Sequence, residues 1–339
     1  MQKLAILLCF VCVAWCNDVD SYIKQNSENF SNTSKIKRVY ASTPTLLYLL
    51  YAVSRHSIVG LNYEFNELER PYLDKKVREQ EVVGGFFGKA KIPNSEKLLA
   101  LSPDLILANN NVKQLGKLRE IFTHVKKPIL YFELKNLDDY IVAIEILGEV
   151  LDKKQRANEL IKYAKQSLEL KNKVQDVIAK HSLKKPRVYY AQGFDGLLSE
   201  CEGSPHALLI ALSGANNVHK CENISEYGRV KLSFEQVLTY QPDVILVYEK
   251  SFYDRIFTDK KWSLLKAVKD KKVYLIPRKP FSWFDRPPSF MRFLGLRWLV
   301  SLNYNEYFDI DMVSETIEFY KLFLDVNLTQ EQAKEILAK

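Results

Sequence analysis

Glu96-Lys97-Leu98-Leu99-Ala100-Leu101-Ser102-Pro103-Asp104-Leu105-Ile106-Leu107 recurs as Glu235-Gln236-Val237-Leu238-Thr239-Tyr240-Gln241-Pro242-Asp243-Val244-Ile245-Leu246. The Glu, the fourth-position Leu, the Pro-Asp pair and the Ile-Leu pair match without a gap. Each copy reads as a short amphipathic helix, a Pro-Asp turn that stops it, and a buried strand. One such unit is common in α/β proteins. Two in register, about one domain length apart, imply two lobes of the same fold.

The flanking sequence agrees. Lys37 to Ala41 reads as a strand, Ser42-Thr43-Pro44 as a helix start, and Leu46, Leu47, Leu49 and Leu50 lie on the helix that follows. Ile58-Val59-Gly60 and Lys127 to Phe132 read as further strands. Strands alternating with helices predict an α/β fold with mostly parallel sheets flanked by helices. Asn136 to His181 contains no Pro and one Gly, Gly148, with apolar residues at helical spacing. It predicts one long connecting helix, stiffer than a Gly/Ser linker. The expected organisation is a signal peptide over 1–16, a loosely held polar leader over 17–35, an N-terminal lobe over 36–135, the connecting helix over 136–181 and a C-terminal lobe over 182–339.

Met1-Gln2-Lys3 is a short basic start, and Leu4 to Trp15 is an almost unbroken apolar run, too short to span a bilayer as an ordinary helix. It reads as a secretory signal, with cleavage after Ala14 or Cys16. Lipidation at Cys16 is the weaker reading, because bulky Trp15 precedes it. Beyond Cys16 only Cys201 and Cys221 remain, and in an oxidising compartment they read as one disulfide closing a loop of about twenty residues, worth roughly 3 kcal/mol. Two buried free thiols are the alternative, and no further metal-ligand spacing accompanies the pair.

The chain has 339 residues, 47% hydrophobic, with a formal net charge of +8. Its Lys residues are scattered among acidic ones, with no basic arm and no aromatic-basic RNA motif, which excludes nucleic acid as the expected partner. A Lys-rich surface favours an anionic small ligand. His56, His124, His181, His206 and His219 form no H-E-x-x-H pair, and there is no G-x-S-x-G elbow and no P-loop. The expectation is that the chain is not an enzyme and has no catalytic cofactor. A secreted metal-dependent hydrolase is the enzymatic alternative and an adhesion domain the structural one.

The two Pro-Asp units, Gly203-Ser204-Pro205-His206 leading to Gly214-Ala215-Asn216-Asn217-Val218, and Trp283-Phe284-Asp285-Arg286-Pro287-Pro288-Ser289 together carry a family resemblance. Over about residues 36 to 325 the chain resembles the periplasmic binding proteins that serve ABC importers of ferric siderophores, haem, cobalamin and nickel chelates. The resemblance implies two α/β lobes bridged by a long helix, with the ligand between them. It implies a monomer that hands a metal chelate, of nickel or iron, to an inner-membrane permease. Cobalamin, haem or an oxyanion such as molybdate is the alternative cargo. It further implies that one acidic residue per lobe docks the permease, here Glu96 and Glu235.

Ligands of open α/β sheets collect beyond the carboxyl ends of strands. That rule selects Ser42, Thr43 and Asn109 in the first lobe and Asp195 in the second. His206 follows a helix-start signal, and a neutral imidazole suits nickel or a partly chelated metal. Trp283 and Phe284 would give an organic chelator an aromatic wall, and Arg286 would pair with its carboxylates. His219, after a turn, reads as a surface residue.

Overall fold

The computed structural model describes residues 19–30, 35–87, 92–110, 120–121, 126–221 and 228–337. The expected signal segment and its cleavage sites lie outside them. The chain divides into two compact units, Met1–Lys162 and Tyr163–Lys339.

In the first unit a helix over 19–26 (α1) leads into β1 (Ser27–Glu28). Then come β2 (Val39–Ala41), α2 (Pro44–Ser54), α3 (Ser95–Ala100), β3 (Leu105–Asn109), β4 (Ile129–Phe132) and α4 (Leu137–Val150). The sheet order is β1-β4-β3-β2, with β2, β3 and β4 parallel and β1 antiparallel at the edge. The described leader residues 19–28 are therefore docked and not loosely held. Val19 and Ile23 are buried, and the Tyr22 hydroxyl donates to the Tyr131 carbonyl at 3.1 Å. A two-residue apolar stripe among Ser and Asn is too weak a pattern to predict such docking. The strand expected at Ile58–Gly60 shrinks to isolated bridges, because Gly60 takes φ +71° and turns the chain out of the extended ladder.

The second unit contains β5 (Arg187–Ala191), β6 (Leu198–Ser199), β7 (Asn216–Asn217), β8 (Val230–Lys231), a helix over Phe234–Tyr240, β9 (Val244–Val247) and β10 (Val273–Leu275). Its main sheet runs β10-β9-β5-β7, all parallel, and β6 and β8 form a separate antiparallel pair. Tyr189, Val237, Ile245 and Trp262 pack in the core on one face of this sheet.

Both repeat copies fold as expected and share a fastening not visible in sequence. The helices end on left-handed residues, Ser102 at φ 46° and Gln241 at φ 42°, and the following Pro prevents helix continuation. Asp104 Oδ2 then accepts the Arg38 backbone N–H at 2.9 Å, and Asp243 Oδ2 accepts that of Arg187 at 2.9 Å. Each aspartate returns its own N–H to the same residue's carbonyl, at 2.7 and 2.8 Å. The Pro-Asp turn thus pins its strand in register with the parallel neighbour in each unit.

The single helix expected over 136–181 is two: α4, and α5 over Lys154–His181. Asp152 adopts φ 55°, and Lys153 N–H bonds back to the Gly148 carbonyl at 2.7 Å. A Cβ on Gly148 would lie 2.3 Å from Ala157 Cβ, so this corner needs glycine. The apolar phase continues through buried Leu151, which is why periodicity does not reveal the break. The boundary between the units falls inside α5, a 28-residue helix.

Candidate functional site

In the second unit Gln192 and Tyr248 directly follow β5 and β9, Arg278 lies three residues beyond β10, and the loop over 277–289 is tied to the end of β9 through Tyr248. That loop is fastened from behind. Trp283 N–H bonds the Pro277 carbonyl at 3.0 Å. Gly295, on the helix Arg292–Asn303, sits so close that a Cβ there would lie 1.9 Å from the Trp283 oxygen.

The loop delivers Asp285 and Arg286 to two residues from far earlier in the chain. His206 Nδ1 lies 2.8 Å from the Asp285 carboxylate, which is itself buried. Arg286 pairs with the fully buried Glu200 carboxylate, and its Nε lies 3.4 Å from Asp285 Oδ2. Glu200 also accepts from Ser204 Oγ at 3.2 Å and from Gln192 Nε2 at 3.4 Å. Tyr248 holds the loop backbone by donating its hydroxyl to the Arg286 carbonyl at 2.9 Å, at a residue with φ 59°, a costly conformation for Arg that the network sustains.

These contacts decide protonation. The hydrogen bond to Asp285 holds the His206 pKa above its ordinary value, against the opposing effect of burial. Burial disfavours the Arg286 charge, and the hydrogen bond to Glu200 with the nearby carboxylates more than reverses that. With Nδ1 turned to Asp285, Nε2 is bonded to none of the described residues, and the His206 side chain keeps 20% exposure. Metal-ligating histidines almost always carry such a partner on the other ring nitrogen. The 3₁₀ turn Pro205–Ala207, capped by Ser204 Oγ on His206 N–H at 3.2 Å, fixes the ring's position.

Sequence reasoning missed Glu200, Tyr190, Tyr248, Arg229 and Arg278. The Arg278 guanidinium lies 4.1 Å from the Tyr248 ring centroid and that of Arg229 5.9 Å. Both arginines are exposed, and both act on the half-buried Glu249 carboxyl, opposing the rise in pKa that burial causes there. Nothing in the local pattern distinguishes them from other surface arginines.

Three expectations need correction. Trp283 and Phe284 do not form an open aromatic wall: Trp283 is 0% exposed and Phe284 2%, with Phe284 packed 4.7 Å from Tyr190. They anchor the loop that carries Asp285 and Arg286. Asp195 does not join the cluster. It caps its own exposed turn by accepting Leu197 N–H at 3.1 Å and pairs with Lys231. His219 is not on the surface: it is 5% exposed, its Nδ1 3.1 Å from the Tyr240 hydroxyl. Cys201 and Cys221 are disulfide-bonded beside it, with Cα atoms 5.6 Å apart.

In the first unit, Ser42 and Thr43 stand between the end of β2 and the N-terminus of α2. They are 0% and 4% exposed, and neither hydroxyl has a partner among the described residues. Asn62 Oδ1 and, at the end of β3, Asn109 Oδ1 are equally unpartnered. Ser42 is fixed by Leu107 and Phe86 through its backbone N–H and carbonyl, at 2.9 and 2.8 Å. Buried polar atoms without partners are costly unless something else satisfies them, and a helix N-terminus favours negative charge. Glu96 and Glu235 occupy the first turns of the two equivalent repeat helices, and both are exposed.

Each of the two main sheets carries a polar cluster beyond the ends of its parallel strands. The chain belongs to the periplasmic binding protein family, whose profile matches residues 72–280. It is 30% identical to the molybdate-binding protein MolA of Haemophilus influenzae over 71% of this chain and 72% of that protein. It is 28% identical to a vitamin B12-binding protein of Vibrio cholerae, over 57% of this chain and 66% of the relative. An ABC transporter solute-binding protein from Sulfurospirillum deleyianum has the same fold, with TM-score 0.82 and 36% identity over 90% of this chain and 95% of that one. These relatives are solute-binding proteins and not enzymes.

Proposed function

We propose that this protein is the periplasmic solute receptor of an ABC importer and that its cargo is an anionic metal chelate, of nickel or iron, to which His206 Nε2 contributes a donor. The observation that carries this reading is the His206–Asp285 pair, which leaves one imidazole nitrogen oriented and open. One imidazole is too few donors for a naked ion. Nickel and iron are satisfied only if a carrier molecule brings most of the coordination shell. Arg229 and Arg278 favour a carrier bearing carboxylates. In the first unit the unpartnered Ser42 and Thr43 hydroxyls can donate to oxygen atoms of an anion, whereas Asn109 Oδ1 can only accept from a donor. The apolar start of the chain supports export to the periplasm. Glu96 and Glu235 are the proposed contacts to arginines of the permease, and the receptor works as a monomer.

A tetrahedral oxyanion is the second reading. It is favoured by the unpartnered hydroxyls at the start of α2 and by the molybdate-binding relative. Native mass spectrometry with metal analysis of protein purified from its source separates the two. A mass increment of metal plus organic carrier supports the chelate. An increment of a bare oxyanion selects the second reading, and neither increment counts against both.

A further inference from the structure

The disulfide at the start of the Gly203-Ser204-Pro205-His206 segment has a third member. His219 Nε2 lies 3.2 Å from Cys221 Sγ and 3.9 Å from Cys201 Sγ. The three ligand atoms all fall within 4.8 Å of one another. We propose that reduction of this disulfide opens a metal site, in which the two thiolates and the His219 imidazole bind a thiophilic divalent ion such as zinc.

The distances argue for it. With bonds of about 2.3 Å to sulfur and about 2.0 Å to nitrogen, a tetrahedral zinc holds its sulfur and nitrogen ligands roughly 3.5 Å apart. His219 Nε2 already stands at about that distance from both sulfurs, so only the sulfur pair must part. The ring is held for the task. Its Nδ1 meets the Tyr240 hydroxyl at 3.1 Å, an outer contact of the kind that orients ligating histidines. Its backbone N–H donates to Asn217 Oδ1 at 3.1 Å, and its carbonyl accepts Glu202 N–H at 2.7 Å. Cys201 and His219 are buried, which protects such a site from bulk water. Three protein ligands leave the fourth position for water or another small donor.

The chemistry closes. A phosphine and one water cleave the S–S bond, giving two thiols and the phosphine oxide. The metal ion then displaces the two thiol protons to solvent as the thiolates bind. In the oxidised protein the sulfurs have no charge to offer, so the site is closed. None of these groups belongs to the ligand cluster around His206, and the proposal stands or falls apart from the chelate reading.

Cobalt(II) titrated into the full chain tests it. The oxidised protein should show no thiolate-to-cobalt charge-transfer absorption. The phosphine-reduced protein should show it at one equivalent, with the visible bands of tetrahedral cobalt, and zinc should bleach both. His219→Gln should weaken cobalt binding at least about tenfold, and alkylating the reduced wild-type thiols should abolish it. Circular dichroism of the reduced chain serves as the folding control. The proposal is overturned if the reduced, folded protein gives no charge-transfer band, if the band persists unweakened in His219→Gln, or if reduction unfolds the chain.

Discussion

Asp285 stands 2.8 Å behind His206 Nδ1, joined to it across 79 positions of sequence. The contact assigns the ring's two nitrogens different work: one is committed to a buried carboxylate, the other open. Asp285→Asn keeps an acceptor there and removes the charge. The His206 pKa should fall from its raised value, read by NMR titration of the ring. Affinity for the metal complex should drop about 10–100-fold, the usual cost of losing an outer-shell partner. An unchanged imidazole titration in the variant would sever the link between the two residues.

The pH dependence has a definite sign. In the proposed binding mode metal and proton compete for Nε2, and Asp285 raises the proton's affinity for the ring. Binding of a metal complex should therefore be full at alkaline pH and weaken as pH falls through the raised His206 pKa, beginning above the ordinary imidazole value of about 6.5. The same proton stabilises the folded chain, since a raised pKa contributes stability below the unfolded value and loses it as pH rises through the folded one. Calorimetric affinity measured across this range checks the sign. Tighter binding in acid would contradict a metal on His206.

Arg286 is less free than its sequence context implies. Its guanidinium is spent on Glu200, whose carboxylate is fully buried. Arg286→Ala should destabilise the fold by about 3 kcal/mol, because it strands a buried charge, and loss of ligand affinity in that variant is not by itself evidence of ligand contact. Adding Glu200→Gln should restore most of the stability. Denaturant midpoints of the two single variants and the double variant decide this, and additive losses would argue against the pairing.

Glu96 and Glu235 are exposed at equivalent positions of the two repeats. The Glu235 carboxyl is held below its usual range by its own backbone N–H and the Ser233 hydroxyl, so it stays charged. Reversing both to Lys should abolish uptake in cells and leave ligand affinity and folding unchanged. Normal uptake by the double variant would remove the docking role.

The repeat and the parallel sheets were legible because their signals are local: a helix face, a Pro that ends it, a run of apolar residues. The corner at Leu151–Lys153 was not, since it depends on Gly148 accommodating Ala157 while the apolar phase runs on. His206 and Arg286 were legible as residues beside Gly-Ser-Pro and Pro-Pro signals, but their partners were not. Asp285 and Glu200 acquire meaning only when the fold joins positions about eighty residues apart. The same limit explains His219, placed by tertiary packing between a tyrosine and a disulfide. It also explains Trp283, whose aromatic character marks a wall or a core anchor equally well until burial is known.

In the proposed function the second lobe reads a metal complex through His206. Isothermal calorimetry with wild-type protein and His206→Ala tests it, using nickel chloride, nickel–histidine, ferric citrate and molybdate. Free nickel should bind weakly and one chelate far more tightly. His206→Ala should weaken that chelate at least tenfold, about 1.4 kcal/mol, with folding unchanged by circular dichroism. Tight binding of molybdate alone, or equal affinity for every chelate and the free ion with no response to His206→Ala, would contradict that reading.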